Sequence, residues 1–204
     1  MLRRIALLVD VGFVLKRLRP RLGRSALAED VMAECRRVLS DPRLAGRELL
    51  RIYMYDAPPA TGVVVNPVDQ SRTNLMQTEV YLERRSLHDR LELQSDVAFR
   101  KGELAIRGWK VRPRAIDDVG RTGRALRAED VEPVLEQKGV DLRIGLDIAR
   151  ISLRGLADTI VVMTGDSDFV PAFKFARREG VRVYLDHLGA SVRRELEAHV
   201  DVVL

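Results

Sequence analysis

The 204-residue sequence contains a single cysteine, Cys35, and no run of 18 or more apolar residues. One cysteine excludes internal disulfides and cysteine-rich zinc sites, and it fits a reducing cytosol. The lack of a long apolar run excludes a transmembrane helix. The apolar run near the amino terminus is short and interrupted by an acid, which predicts a folded strand and not a signal peptide. We therefore expect a cytoplasmic protein with no membrane association.

The length predicts one domain over residues 1–204, with an insertion or elaborated region within about 57–127, where the pattern is hardest to interpret.

The net charge of +5 is unevenly distributed. Residues 1–24 and 100–127 each carry a surplus of six positive charges, which leaves −7 for the rest of the chain. Concentrated positive charge indicates a polyanionic partner such as a nucleic acid. It is equally typical of a surface solvated by arginine.

Strands alternate with helices along most of the chain. The predicted strands are 5–9, 49–55, 159–163 and 181–185, and the predicted helices are 25–39 with a serine cap, one or two within 67–93, 141–153, 167–178 and 191–198. Residues 103–116 are predicted as strand or hairpin, and 129–136 as a short helical turn or loop. This alternation predicts an α/β fold with a mostly parallel, doubly wound sheet.

Four acids are expected at one edge of that sheet. Asp10 ends the first strand, Asp166 and Asp168 follow the strand 159–163, and Asp141 begins a helix. In a right-handed parallel sheet, the ends of strands and the starts of the following helices share the carboxyl edge, where ligands bind. Clustered carboxylates repel one another, and a bound Mg²⁺ or Mn²⁺ reverses this effect. Such a site can activate water against a phosphodiester.

Helix capping is the alternative role for several of these residues. Ser167, Asp168 and Asp141 each precede or begin a predicted helix, where Ser and Asp are common caps. Asp10 has no predicted helix directly after it, so capping does not explain it. Asp147 lies six residues after Asp141, on a different helix face, and ranks as a surface or supporting residue.

Three other metal-dependent folds also place acids at a sheet edge. A Toprim-like site requires a glutamate where Asp10 stands, and a haloacid-dehalogenase-like phosphatase requires a second Asp where Gly12 stands. A two-component receiver pairs its acids early in the chain, whereas Asp10 stands alone. All three fit less well.

The motifs LLVD, KGVDLRIGLDIAR and VVMTGDSDFVPAFKFARREGVRVYL, in this order, resemble the NYN domain family of PIN-like, LabA-like ribonucleases. The resemblance covers the first strand and roughly residues 129–204. It implies a three-layer α/β/α sandwich of PIN-like type that hydrolyses RNA with Mg²⁺ or Mn²⁺, and a possible homodimer. By position, the resemblance implies metal ligation by Asp10, Asp141 and Asp166, completion of the catalytic cluster by Asp168, and support from Asp147, Thr164 and Ser167.

Two further features bear on the RNA prediction. The second basic segment supplies candidate contacts to a single-stranded RNA substrate, namely Arg112, Arg114, Arg121 and Arg124. Many family members carry Asn three residues after the first Asp, whereas this chain has Phe13, which has no side-chain hydrogen-bonding group. The alternative hypothesis is therefore a non-catalytic RNA-binding or regulatory protein on the same scaffold.

Overall fold

A computed structural model describes residues 3–204. The β-strands, β1 to β10 in chain order, are Arg4–Asp10, Glu48–Asp56, Val63–Val65, Arg72–Asn74, Val97–Lys101, Glu103–Val111, Val131–Lys138, Thr159–Met163, Arg182–Asp186 and Val202–Val203. The α-helices, α1 to α7, are Val11–Leu22, Ala28–Leu39, Glu79–Glu92, Pro113–Thr122, Val140–Leu153, Val170–Arg178 and Arg194–Ala198. The chain divides into two compact units, the first comprising 1–56, 87–102 and 139–204, and the second 57–86 and 103–138.

The first unit is built on a six-stranded sheet in the order β10-β9-β8-β1-β2-β5. Every neighbouring pair is parallel. Helices flank this sheet, so the predicted three-layer α/β/α architecture of PIN-like type is confirmed. The strand order reverses between β1 and β8, because the chain builds outward from β1 through β2 to β5 and returns to β8 on the other side.

The central strands are apolar and buried on both faces. Residues 5–9 of β1 and all five residues of β8 are buried. A strand covered by helices on both sides needs apolar side chains in both directions, which explains continuous runs such as IALLV and TIVVM. The amphipathic helices α1 and α2 pack on this sheet through Val14, Leu18 and Val31.

Four helices of the first unit differ from the sequence predictions. Helix α7 begins at Arg194 and not at Ser191. Helix α1 was not predicted, because residues 11–22 follow β1 with no intervening turn residues. Helix α2 begins at Ala28 and not at Ser25, and the Asp30 carboxylate accepts a hydrogen bond from the Leu27 N–H at its start. Residues 167–169 form a 3₁₀ turn, so the α-helix predicted from Ser167 begins at Val170.

The second unit contains two antiparallel pairs, β3 with β4 and β6 with β7, and helix α4. The predicted strand or hairpin over 103–116 corresponds to β6 as far as Val111, but residues 113–116 begin helix α4. The predicted helical turn or loop at 129–136 is wrong for most of its length. Residues 128–130 form a single 3₁₀ turn, and the rest belongs to β7. Pairing with β6 sets this conformation, with Trp109 opposite Pro133.

Across residues 3–204, no helix is long and apolar enough to cross a membrane.

Candidate active site

Two acids end adjacent strands at the carboxyl edge of the first unit. Asp10 is the last residue of β1, and Asp56 is the last residue of β2. The two strands are parallel neighbours, with Asp10 aligned with Tyr55. On the other side of β1, strand β8 leads into Thr164, Gly165 and Asp166. These residues therefore lie at the reversal of strand order, which is where open α/β sheets bind ligands.

Asp10 is also the cap of helix α1. Its Oδ1 accepts the Phe13 N–H at 3.0 Å, and the Thr164 hydroxyl donates to its Oδ2 over a long 3.5 Å. The expectation that no helix follows Asp10 is thus wrong, and capping accounts for part of its presence. The cap uses Oδ1, while Oδ2 is directed toward the chain that follows β8.

The carboxyl of Asp10 is electrostatically destabilised when ionised. The pKa of Asp10 is raised to about 6, and burial is the largest cause. The hydrogen bond from the Phe13 N–H acts in the opposite direction and lowers this pKa. The negative charges of Asp141, Asp56 and Asp166 raise the pKa further. The attraction of a cation among them would offset both the cost of desolvation and the repulsion.

Asp141 approaches the same charges from helix α5. Gly139 precedes the helix with φ of 72°, a conformation that favours glycine, and Asp141 lies in the first turn. Asp141 therefore belongs to the helix start but is not the N-cap residue. Partial burial, followed by the charges of Asp166 and Asp168, raises the pKa of Asp141.

Asp166 and Asp168 have different surroundings within one turn. Asp166 caps the 3₁₀ turn by accepting the Asp168 N–H at 2.9 Å, and its own N–H donates to the buried Thr164 hydroxyl at 3.3 Å. Both carboxylates are exposed. Arg193 donates to the Ser167 hydroxyl at 3.3 Å, so Ser167 contributes to the rim of the site and is not the cap.

Asp147 is engaged elsewhere in the first unit. Its Oδ2 accepts the Tyr55 hydroxyl at 2.9 Å and the Arg100 Nε–H at 3.3 Å. Burial and the neighbouring Asp147 charge raise the pKa of Tyr55, which keeps this phenol protonated as a donor. Asp147 thus joins helix α5 to strands β2 and β5.

Asp56 is a buried acid at the same edge that the sequence analysis did not place there. It is 1% exposed, and its Oδ2 lies 2.8 Å from Nε2 of His88, which is 3% exposed. The sequence did contain a signal, because Asp56 ends a predicted strand as Asp10 does. Its position before Ala-Pro-Pro made an ordinary turn the simpler interpretation.

The donor chemistry of the site fits a hard divalent cation. Its side-chain groups are carboxylates and hydroxyls, which are the oxygen ligands that Mg²⁺ and Mn²⁺ prefer. Within residues 3–204, no three Asp, Glu, His or Cys side chains are close enough to hold a metal ion as placed. Binding of a cation would therefore require the exposed carboxylates of Asp141, Asp166 and Asp168 to turn toward Asp10. Exposed side chains can change rotamer, so this movement is sterically allowed.

The candidate substrate arginines all lie in the second unit, and three of them already have acidic partners. Arg112 pairs with Glu132 at 3.6 Å and Arg121 with Asp118 at 3.2 Å. Arg124 pairs with Asp118 and Asp130 at 2.7 and 2.6 Å. Arg114 is exposed and forms no ion pair with any residue in 3–204. Much of the positive charge in this segment is therefore neutralised locally.

A different basic surface lies in the first unit, between the end of α6 and the start of β9. An open groove of about 440 Å³ is lined by Lys174, Arg177, Arg178, Gly180, Val181, Arg182 and Asp201. Arg177 pairs with Asp201 at 3.0 Å, and Arg182 stacks on Tyr184. Lys174 and Arg178 have no ion-pair partner among residues 3–204, so the groove retains positive charge.

The six-stranded parallel sheet with helices on its faces has the three-layer α/β/α architecture of PIN-like folds. The sequence model of the NYN domain matches residues 107–202, so this part of the chain is similar to the NYN domain family. The match includes Asp141, Asp166 and Asp168, begins earlier than the predicted resemblance, and leaves out the first strand. NYN domains are generally nucleases.

A solved structure supports the fold. It is the crystal structure of a protein of unknown function from Vibrio parahaemolyticus RIMD 2210633, similar over 99% of this chain and 91% of that chain, with a TM-score of 0.52 and 15% sequence identity. At this identity the likeness concerns the fold alone. No curated protein sequence matches the chain significantly.

Proposed function

We propose that this protein is a divalent-cation-dependent ribonuclease that hydrolyses single-stranded RNA at the carboxyl edge of the sheet. The observation that carries the proposal is the placement of Asp10, at the end of β1, among the carboxylates of Asp56, Asp141 and Asp166, whose charges act together with burial to raise its pKa. Structural carboxylates are usually paired with cations, whereas this group faces other acids. The NYN match over residues 107–202 supports nuclease chemistry.

In this proposal, Asp10, Asp141 and Asp166 would hold Mg²⁺ or Mn²⁺. The bound ion would supply Lewis-acid activation of the phosphodiester and lower the pKa of water. Asp168 would orient the attacking water, and its own position is fixed by the hydrogen bond from its N–H to Asp166. The Thr164 hydroxyl would hold Asp10, and Ser167 would shape the rim.

Substrate contacts are proposed for two basic surfaces. Arg112, Arg114, Arg121 and Arg124 remain candidate phosphate contacts, with Arg114 the most available because it has no acidic partner within residues 3–204. The groove that contains Lys174 and Arg178 adds a second candidate. Phosphate neutralisation by such residues supplies affinity for RNA without reading its sequence.

We also propose a cytoplasmic location and a homodimer. Cys35 is buried, and burial raises the pKa of its thiol to about 12, so it is suited to a reducing compartment as an inert core residue. The homodimer is tested separately, by light scattering during size-exclusion chromatography, which measures the molecular mass of the protein directly. A monomer at micromolar concentration would contradict the dimer.

One observation favours a second candidate, a non-catalytic RNA-binding protein. Many family members carry Asn at the position of Phe13. In this chain the ring of Phe13 occupies the space beside Gly165. An aromatic ring cannot ligate or hydrogen-bond a hydrated cation as an amide can. Under this alternative the acidic cluster would not support turnover.

The deciding experiment is cleavage of a fluorescent single-stranded RNA with Mn²⁺, with Mg²⁺ and with EDTA. Wild type is compared with Asp166→Asn and with Asp117→Asn, an exposed acid on α4 that serves as a charge-matched control. We expect cation-dependent cleavage that falls at least 100-fold in Asp166→Asn and is unchanged in Asp117→Asn. RNA binding without cleavage by wild type would support the second candidate, and equal cleavage by all three proteins would indicate contamination.

A further inference from the structure

Helix α6 connects the candidate active site to the basic groove. The helix starts directly after the 3₁₀ turn Ser167–Phe169 at the carboxyl edge and ends at Arg178, shortly before β9 begins. Because β8 and β9 are parallel, the start of β9 lies at the amino edge of the sheet. The helix therefore runs from one edge of the sheet to the other, over about 14 Å at 1.5 Å for each residue.

One face of this turn and helix carries positive charge without acids. Four residues at successive spacings of four, three and four positions share the face, namely Ser167, Pro171, Lys174 and Arg178. The last three of these are exposed, and the segment VPAFKFARR that forms α6 contains no acid. Lys174 and Arg178 form no ion pair within residues 3–204, so the face keeps its charge.

Arg193 extends this face to the rim of the candidate active site. Its exposed guanidinium donates to the Ser167 hydroxyl at 3.3 Å and forms no ion pair with any residue in 3–204. Ser167 lies between Asp166 and Asp168 in sequence. Arg193 thus places an unneutralised positive charge beside an acidic cluster, where it is available to an anionic substrate.

At the other end of α6, the groove cannot neutralise this charge. Among the described residues that line it, Asp201 is the only acid. Its carboxylate already accepts hydrogen bonds from Arg177 at 3.0 Å and from the Val183 N–H at 2.8 Å. Lys174 and Arg178 are therefore left without an acidic partner at the amino edge.

We propose that a single RNA strand lies along α6 between the candidate active site and the groove, with its phosphates contacted in turn by Arg193, Lys174 and Arg178. This inference rests on the proposed function and gives its substrate a path. A row of separate cations suits a linear polyanion, because a small anion would contact only one of them. Phosphates of one strand are at least about 3.4 Å apart, so about four nucleotides or fewer follow the length of α6.

The first test is binding in EDTA, which withholds the divalent cation, measured by fluorescence anisotropy of a labelled twelve-nucleotide oligouridylate. Lys174→Gln with Arg178→Gln should weaken binding at least fivefold, and Arg193→Gln at least threefold. Lys174→Arg with Arg178→Lys keeps both charges and should stay within twofold of wild type. Arg36→Gln with Arg150→Gln removes two exposed charges elsewhere and is the matched control, also expected within twofold.

A structural role predicts a different result. Arg178 lies in the last turn of α6, where a positive charge also stabilises the helix end. Thermal unfolding of each variant is therefore measured beside its affinity. Lower stability with unchanged affinity, or an equal loss of affinity in the Arg36→Gln with Arg150→Gln control, would overturn the inference.

Photocrosslinking locates the strand on wild-type protein without any substitution. The same oligonucleotide with 4-thiouridine is irradiated in EDTA, and the crosslinked residues are identified by mass spectrometry. Crosslinks to residues 167–178 or to Arg193 support the inference. Crosslinks confined to residues 103–138 of the second unit would contradict it.

Cleavage assays with Mn²⁺ separate this inference from the proposed function. If wild type cleaves RNA and Lys174→Gln with Arg178→Gln raises KM at least fivefold at a kcat within twofold, both are supported. If wild type cleaves RNA while KM, affinity and crosslinks all exclude α6, the inference is wrong and the proposed function stands. RNA bound along α6 without cleavage would contradict the nuclease and support the non-catalytic candidate, and no RNA binding by wild type would contradict both.

Discussion

The ring of Phe13 lies directly against the backbone of Gly165. A Cβ at residue 165 would lie 2.6 Å from Cε2 of Phe13, closer than non-bonded carbons approach. The two residues come from the loop after β8 and the first turn of α1, so this contact joins the two chain segments that carry Asp166 and Asp10. Space beside the Phe13 ring, and not backbone conformation, favours glycine here.

Gly165→Ala should therefore destabilise the protein by about 1–3 kcal/mol, the usual effect of overpacking. Chemical denaturation measures the change in free energy of unfolding. In a Phe13→Ala background, the same substitution should cost less than about 0.5 kcal/mol, because the ring that it meets is gone. An equal cost in both backgrounds would show that the contact is not the cause.

The pH dependence of stability follows from Asp10. Its folded pKa of about 6 lies above the ordinary 3.8, so the protonated carboxyl is favoured by folding. Its stabilising contribution is complete below about pH 3.8 and is lost as the pH rises through 6. At pH 7.5 the ionised group opposes folding by about 3 kcal/mol, since each pKa unit corresponds to about 1.4 kcal/mol.

Asp10→Asn should accordingly raise the free energy of unfolding at pH 7.5 in EDTA, by up to about 3 kcal/mol. The amide oxygen of Asn can still accept the Phe13 N–H. The gain should shrink as the pH is lowered from 6 toward 4, and Asp117→Asn should show no such gain. A loss of stability at pH 7.5 would mean that the cap and not the charge dominates at Asp10.

Asp147 should behave as a structural residue. Asp147→Asn weakens the ion pair with Arg100 and the hydrogen bond from Tyr55, so we expect a loss of about 1–2 kcal/mol in the free energy of unfolding. Mn²⁺ affinity should remain within threefold of wild type. A tenfold loss of affinity with unchanged stability would instead place Asp147 among the metal ligands, as the family resemblance permits.

The groove beside α6 predicts a salt-dependent contribution to RNA binding. Lys174→Glu with Arg178→Glu should weaken binding of a long single-stranded RNA and reduce the slope of log affinity against log salt by about 1.4, or about 0.7 for each lost phosphate contact. Fluorescence anisotropy over a salt series measures the slope. Arg36→Glu with Arg150→Glu makes the same change in net charge elsewhere, and an equal effect would show that only total charge matters.

Much of the first unit was predictable because its signals are local. The five-residue run of β8 was predicted with its observed bounds, since a short apolar, β-branched run that ends at Thr-Gly-Asp has few alternatives. Helix α5 was predicted to within one residue. In contrast, β7 was missed because its conformation depends on pairing with β6, a non-local contact that periodicity does not reveal.

The candidate site shows the same division. The sequence by itself determined the order of strands and helices, and with it the edge where Asp10 and Asp166 lie, because parallel topology follows from alternation. Only the tertiary structure decided that Asp10 caps a helix, that His88 holds Asp56 beside it, that Asp147 turns to Tyr55, and that Phe13 covers Gly165. Each of these is a contact between residues distant in sequence or a local conformation fixed by packing, so no spacing rule contains it. The segment VVMTGDSDFVP thus predicts the carboxyl edge of the sheet, and the packing around it determines which acids lie near one another.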